Sequence, residues 1–157
     1  MSKNIPNTEL IFQKSKPIDH LSLRDGITLM IKEQKNAAFE VKKTIKSIEH
    51  AIDAIHKHLT LNTKGRLIYV GAGTSARIGV QDGVELFPTF NWPKERLDFI
   101  IAGGINALIY AVENAEDKTH LAEKIVEDKL ICSQDVVIGI AASGNTPFTC
   151  KVLEKAK

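Results

Sequence analysis

An apolar, β-prone run, Leu67-Ile-Tyr-Val70, ends directly in Gly71-Ala-Gly-Thr-Ser75 and hands over to a helix-like segment from Arg77 to Phe87. A strand that passes through glycines into a helix leaves free backbone N–H groups at the turn. Those groups and the helix dipole favour an anion there, typically a phosphate. Gly71 and Gly73 allow a ligand to approach the backbone where a Cβ would collide. Thr74 and Ser75 fall at the expected N-cap, where their hydroxyls can cap the helix or contact a ligand. A capped turn without any ligand is the plain alternative for so short a motif.

The same grammar recurs downstream. A second strand (Asp98-Phe-Ile-Ile-Ala102) ends in Gly103-Gly104 and predicts a helix through Ala107, Leu108, Tyr110, Ala111 and Val112. Another helix covers Leu121 to Leu130. A third strand, Val136 to Ile140, leads into Ala141-Ala-Ser-Gly-Asn-Thr-Pro147 and a last helix running to Lys157. Strands that alternate with helices and are almost wholly apolar predict an α/β fold, with a parallel sheet covered on both faces. Ligands of such folds bind outside the carboxyl ends of the strands, where all the glycine-bearing turns fall.

Upstream the pattern is helical. Residues 1–20, with Pro6 and Pro17, read as an extended arm. Ser22 followed by Asp25 resembles a capping box and starts a helix from Leu23 to Gln34. Ala38, Val41, Ile45, Ile48, Ile52, Ile55 and Leu59 then form one continuous apolar face, which predicts a long amphipathic helix. Part of that face suits a second subunit. Asn62-Thr-Lys-Gly65 is a turn. The chain therefore divides into an arm with helices (1–61) and an α/β part (62–157).

Composition narrows the classes of function. The 157 residues carry a formal net charge of +2, with both signs interspersed. No basic block or cationic helix marks a nucleic acid or membrane partner. The apolar runs are shorter than a bilayer span, and the N-terminus lacks the apolar core of a signal peptide. Cys132 and Cys150 match no metal spacing and read as buried thiols in a reducing cytoplasm. His56 and His58 lie on different helix faces, read as solvated and form no metal pair. A dinucleotide would want an acid at the end of the second strand, where Ala102-Gly-Gly104 stands. A P-loop would want a lysine followed by serine or threonine after the first turn, and none follows. Two hydroxyl-bearing turns side by side suit a sugar phosphate instead, although Ser143 and Thr146 taken alone read equally as N-caps.

Gly71-Ala-Gly-Thr-Ser75 and Ser143-Gly-Asn-Thr-Pro147 together resemble the sugar isomerase (SIS) domain. More narrowly, the chain resembles the N-acetylmuramic acid 6-phosphate etherase family. The likeness extends through Thr8-Glu9, Ile18-Asp-His-Leu-Ser22, Arg66 to Ser75, Arg77-Ile-Gly79, Glu85, Pro88-Thr89, Ala102-Gly-Gly104, Ala111 to Asp117 and Gly139 to Pro147. It implies a SIS-type three-layer fold behind N-terminal helices, and a cytoplasmic, homodimeric lyase with no metal or organic cofactor. The implied reaction cleaves the lactyl ether of N-acetylmuramic acid 6-phosphate to N-acetylglucosamine 6-phosphate and D-lactate, in peptidoglycan recycling. By position, Glu85 is the acid that protonates the departing lactate and Glu116 the base that takes the C2 proton. Ser143, Gly144, Asn145 and Thr146 would hold the phosphate, while Gly73, Thr74 and Ser75 face the sugar. Without the resemblance both glutamates read as solvated helix residues, and Glu113 is left structural.

The chain also departs from the family. Ala76 stands where the family often has glycine, and Leu86-Phe87 where many members have Cys-Pro. Arg77 reads as a surface ion pair, with a ligand contact as the alternative. Members continue beyond the last motif with more strands, so the resemblance implies an incomplete sheet and an incomplete etherase. Along continuous helices, Glu85 would lie about 15 Å from Ser75 and Glu116 roughly 18 Å from Gly104. Those distances imply a site shared between two subunits. A non-catalytic phosphosugar sensor and an aldose–ketose isomerase are the competing readings.

Overall fold

The computed structural model describes residues 16–157. Pro6, Thr8 and Glu9 lie outside the described residues. Helix α1 spans Leu23–Lys43 and α2 Ile45–Leu61; the chain divides into two compact units within α2, after His56.

In the first unit, Pro17 leads into a 3-10 turn, Ile18–His20. Ser22 then caps α1: its Oγ accepts from the Asp25 N–H at 3.2 Å and donates to Asp25 Oδ2 at 2.7 Å. This is the hydroxyl half of the capping box foreseen from sequence, with the aspartate carboxylate accepting from the Ser22 hydroxyl in place of the Ser22 N–H. The helix does not stop at Gln34 but runs to Lys43, and the long apolar stripe is split at Thr44. There the hydroxyl donates to Val41 O at 2.8 Å and the Thr44 N–H bonds the same carbonyl at 2.9 Å. A side chain that competes for a carbonyl one turn back loosens a helix at that point. Phe39, Val41, Ile45, Ile48 and Ile52 remain 41–61% exposed.

The second unit is built on β1 (Leu67–Gly71), β2 (Leu97–Ile101) and β3 (Val136–Ile140), in the order β2-β1-β3 and all parallel. β3 occupies the expected span; β1, read from the sequence as Arg66–Val70, lies one residue later and β2 one earlier than read, because Gly71 pairs with both Ile101 and Ile140. Ile68, Val70 and Ile100 face one side and pack with Phe148 and Val152 of α6 (Pro147–Lys155) and Ala122 of α5 (His120–Asp128). Full burial of such apolar side chains contributes about 1.5–3 kcal/mol each.

Tyr69, Phe99 and Ile140 face the other side, against α3 (Gly73–Val84). That helix lies close because it presents glycines: a Cβ on Gly79 would sit 2.7 Å from Ile140 Cδ1, and one on Gly83 2.7 Å from Phe99 Cε1. Burial, together with the bond from its hydroxyl to Asp82, pushes the Tyr69 phenol up to about 12. The result is the three-layer α/β arrangement with an open parallel sheet, in which β2 and β3 are the edges.

Four details differ from the sequence reading. α3 begins at Gly73 rather than Arg77 and ends at Val84, capped by Glu85, after which α4 (Leu86–Phe90) carries Pro88 inside its first turn. A proline there forfeits no helical hydrogen bond, so it does not act as a stop. Residues 105–117 form two 3-10 turns, Ile105–Leu108 and Ala115–Asp117, in place of an α-helix. Cys132 is exposed and Cys150 half-buried, so neither is the buried thiol expected. His58, read as solvated, is half-buried, with Nε2 3.1 Å from Gln134 O. No helix among the described residues is long and apolar enough to cross a membrane.

At the amino ends of the strands, Arg66 donates to both Asp135 oxygens, from Nε at 3.2 Å and Nη2 at 2.7 Å. Asp98 receives Lys129 Nζ at 2.7 and 2.9 Å and lies 3.6 Å from Arg66 Nη1. This network links the entrances of all three strands and fixes their register.

Candidate functional site

The turn after β1 is held open by backbone geometry. Ala72 is extended at the N-cap and makes no side-chain cap, while Gly73 enters α3 with φ +53° and open space where a Cβ would project. Only glycine takes that left-handed conformation without strain. Thr74 and Ser75 therefore lie in the first helical turn rather than at the N-cap, which corrects their expected capping role. Thr74 is exposed and Ser75 half-buried.

Beside this turn lies a cavity of about 440 Å³. Gly73, Thr74 and Arg77 line one side, and Glu113, Asn114 and Glu116 the other. The far wall comes from the loop after β2. Gly103 (φ +83°) and Gly104 (φ +75°) turn the chain, and a Cβ on Gly103 would meet Val112 Cγ1 at 3.1 Å and Ala115 Cβ at 3.2 Å. Ala115 is buried in the core, and Asn114 before it is left-handed at φ 57°. Burying Ala115 presents its neighbour Glu116, which is exposed, at the cavity. The 18 Å separation inferred for Glu116 rested on a helix that does not form; Glu116 lines the same cavity as the glycine turn of its own chain.

The turn after β3 lies next to the first, since Ile140 pairs with Gly71. Gly144 is left-handed (φ +67°), and its N–H bonds Ala141 O at 3.1 Å. Ser143 Oγ accepts the Asn145 N–H at 3.2 Å, a local hydroxyl turn rather than a helix cap. Thr146 holds the N-cap position of α6 without a side-chain bond, and Pro147 follows at the helix start. Ser143, Gly144 and Asn145 are exposed, Thr146 half-buried. This turn carries hydroxyls, an amide and the N-terminus of a nine-residue helix to the carboxyl edge of the sheet.

Glu85 is placed elsewhere. It sits exposed between α3 and α4, twelve residues beyond Gly73, and does not line the cavity. An unbroken helix of that length separates the two by about 18 Å.

Arg77 forms no surface ion pair among the described residues. Its Nε donates to Leu108 O at 3.1 Å, and Nη2 to Ala107 O at 3.0 Å and Tyr110 O at 3.4 Å. Nη1 lies 3.5 Å from Thr74 Oγ1. Sequence reasoning put a ligand contact second for Arg77 and left Glu113 structural, whereas both line the cavity. The available signals were spacing: Arg77 stands three residues after Thr74, on the same helix face, and Glu113 three before Glu116. Chemically, the cavity joins an anion-favouring backbone turn and a guanidinium to two carboxylates, a set suited to binding a phosphorylated polyol and moving a proton on it.

These features define an α/β domain with helices on both faces of a parallel sheet, its glycine turns lying at the carboxyl edge where ligands of such folds bind. The family described as the glucokinase regulatory protein N-terminal SIS domain matches residues 46–157, and the chain belongs to it. Over 149 residues the chain is 40% identical to an N-acetylmuramic acid 6-phosphate etherase of Oenococcus oeni, covering 95% of this chain and 50% of that protein. It is 42% identical over 142 residues to the protein of that name in Pasteurella multocida (90% and 46% covered). In Bacillus cereus the corresponding figures are 39% over 151 residues (96% and 51%). The chain spans about half the length of the curated relatives it matches.

Proposed function

We propose that this chain takes part in cleaving the lactyl ether of N-acetylmuramic acid 6-phosphate, giving N-acetylglucosamine 6-phosphate and D-lactate. The observation that carries the reading is the cavity in which Glu116 faces the Gly73-Thr74 turn. In this reading Ser143, Gly144, Asn145 and Thr146 hold the phosphate, and Gly73, Thr74 and Ser75 contact the sugar. Glu116 takes the C2 proton of the open-chain sugar. The C3–O bond then breaks, and lactate leaves with a proton from Glu85. Water adds to the resulting α,β-unsaturated aldehyde, its oxygen to C3 and a proton to C2. The reaction is assigned to the cytoplasm and to peptidoglycan recycling.

Glu85 is the residue that calls for a second subunit, being about 18 Å along α3 from the turn it must serve. In a homodimer the partner's copy would supply it across a two-fold axis. Mixing Glu85→Gln and Ser143→Ala chains should then restore activity in heterodimers. Heterodimers that form without restoring it would place the whole site in one chain.

The direct test is incubation with N-acetylmuramic acid 6-phosphate and assay of D-lactate. A second reading, a phosphosugar sensor without turnover, draws on Glu85 lying outside the cavity and on a matching family named for a regulatory protein. Phosphosugar binding with no lactate released would favour the sensor.

A further inference from the structure

Arg77 has a half-buried guanidinium whose hydrogen bonds go to neutral oxygens, three of them backbone carbonyls of one loop. Those carbonyls, on Ala107, Leu108 and Tyr110, close the 3-10 turn Ile105–Leu108. A helical turn leaves its last carbonyls without N–H partners. The planar fork of an arginine can satisfy several at once, which the point charge of a lysine cannot. Arg77 also leans on Thr74, one turn earlier on α3, so a single side chain bridges the glycine turn and the loop after β2.

The loop has a second anchor. Ala115 is 5% exposed and packs in the core beside Gly103, and Glu116 follows it directly. Residues 111–114 thus run between two fixed points, the Arg77 clasp and the buried Ala115. Both cavity carboxylates, Glu113 and Glu116, depend on those points for their place.

We infer that Arg77 is a positioning residue, whose clasp on the 107–110 carbonyls sets Glu113 and Glu116 over the glycine turn. Its effect on turnover rests on the etherase reading, but its effect on the loop and on phosphosugar binding does not.

The test uses the 157-residue chain and its Arg77→Met and Arg77→Lys variants. Backbone hydrogen exchange, thermal unfolding and calorimetric binding of N-acetylglucosamine 6-phosphate are measured on each, with D-lactate release in parallel. Arg77→Met should speed exchange at residues 109–117 roughly ten- to hundredfold, leave the strand amides protected and weaken binding by about tenfold. Arg77→Lys keeps the charge without the fork, so exchange in the loop should stay fast and binding weak. It also serves where the methionine variant fails to fold. Where lactate is released, kcat should fall more than KM rises, since the phosphate contacts lie on the other turn.

Two results would overturn the inference. One is unchanged loop exchange in the variant that folds. The other is normal binding in Arg77→Lys despite a loosened loop, which would make charge rather than the clasp the operative feature. A wild-type chain that releases no lactate counts against the etherase reading alone, and the exchange comparison still decides Arg77.

Discussion

At the amino edge of the sheet, Arg66, Asp98, Lys129 and Asp135 bond one another, and the Arg66 and Cys132 N–H groups also donate to Asp135. At the carboxyl edge, Thr74, Ser143 and Asn145 stand exposed, and Gly73, Gly103 and Gly144 carry positive φ. The first edge spends its polar groups on itself and is finished by folding. The second places Thr74 and the carboxylates of Glu113 and Glu116 on a cavity, with the 143–146 turn exposed on the neighbouring strand end, an arrangement open to a ligand. In the function proposed above, stability and ligand chemistry fall at opposite ends of the same strands.

The largest effect should come from the carboxyl edge. Glu116→Gln is expected to lower D-lactate release by about 10²–10⁴-fold while phosphosugar affinity holds. Lost affinity with unchanged turnover of bound substrate would remove Glu116 as the base.

At the amino edge, Asp135→Ala should cost about 3 kcal/mol in chemical denaturation, because it removes the closest carboxylate from the Arg66 guanidinium and the acceptor of the Arg66 and Cys132 N–H groups. Ligand affinity should not change. A variant that binds less tightly yet unfolds normally would break the separation of the two edges. The same carboxylate predicts a pH dependence. Burial pushes Asp135 up, but the Arg66 side chain, the two backbone N–H donors and the nearby positive charge outweigh it and hold the group below the usual carboxylate range. A depressed folded value contributes stability that is complete above the unfolded aspartate value of about 3.9 and is lost as pH falls through the folded one. The acid limb of the unfolding curve should therefore flatten in Asp135→Asn, and an identical limb in both proteins would discount the network.

Gly103→Ala acts between the two regimes. It forces a side chain into a left-handed position against Val112 and Ala115, a strain of about 1–3 kcal/mol. The displaced loop should weaken phosphosugar binding several-fold, whereas equal affinity would show that the loop does not shape the site. Ser143→Ala should have the smallest effect, a loss of about 1 kcal/mol in binding and little in stability. A larger loss of stability would make that hydroxyl part of the fold instead.

Much of this was legible from residue pattern. β3 was read to its boundaries, and the strand-to-glycine-turn pattern after β1 and β3 was read correctly as strands ending in turns at one edge of the sheet, because apolar runs and turn residues act locally. The segment 105–117 was misread for a physical reason. Ala107, Leu108, Ala111 and Val112 have helical spacing, but Arg77 takes carbonyls that a continuing helix would have used, and it is thirty residues away. Gly103 and Gly104 marked a turn without revealing that Ala115 would be buried and Glu116 presented. Thr44 likewise split a stripe whose periodicity was unbroken, through one hydroxyl bond that spacing does not encode. Long-range side-chain bonds, rather than propensity, set the details closest to the chemistry.

The division of labour between the two edges can be tested directly by titrating the isotopically labelled protein with N-acetylglucosamine 6-phosphate and following backbone amide resonances. The account predicts shifts concentrated at Gly73, Thr74, Ser143 to Thr146 and Glu116, with Arg66, Asp98, Lys129 and Asp135 unmoved. Shifts centred on the Arg66–Asp135 end of the strands, or none at saturating phosphosugar, would contradict it.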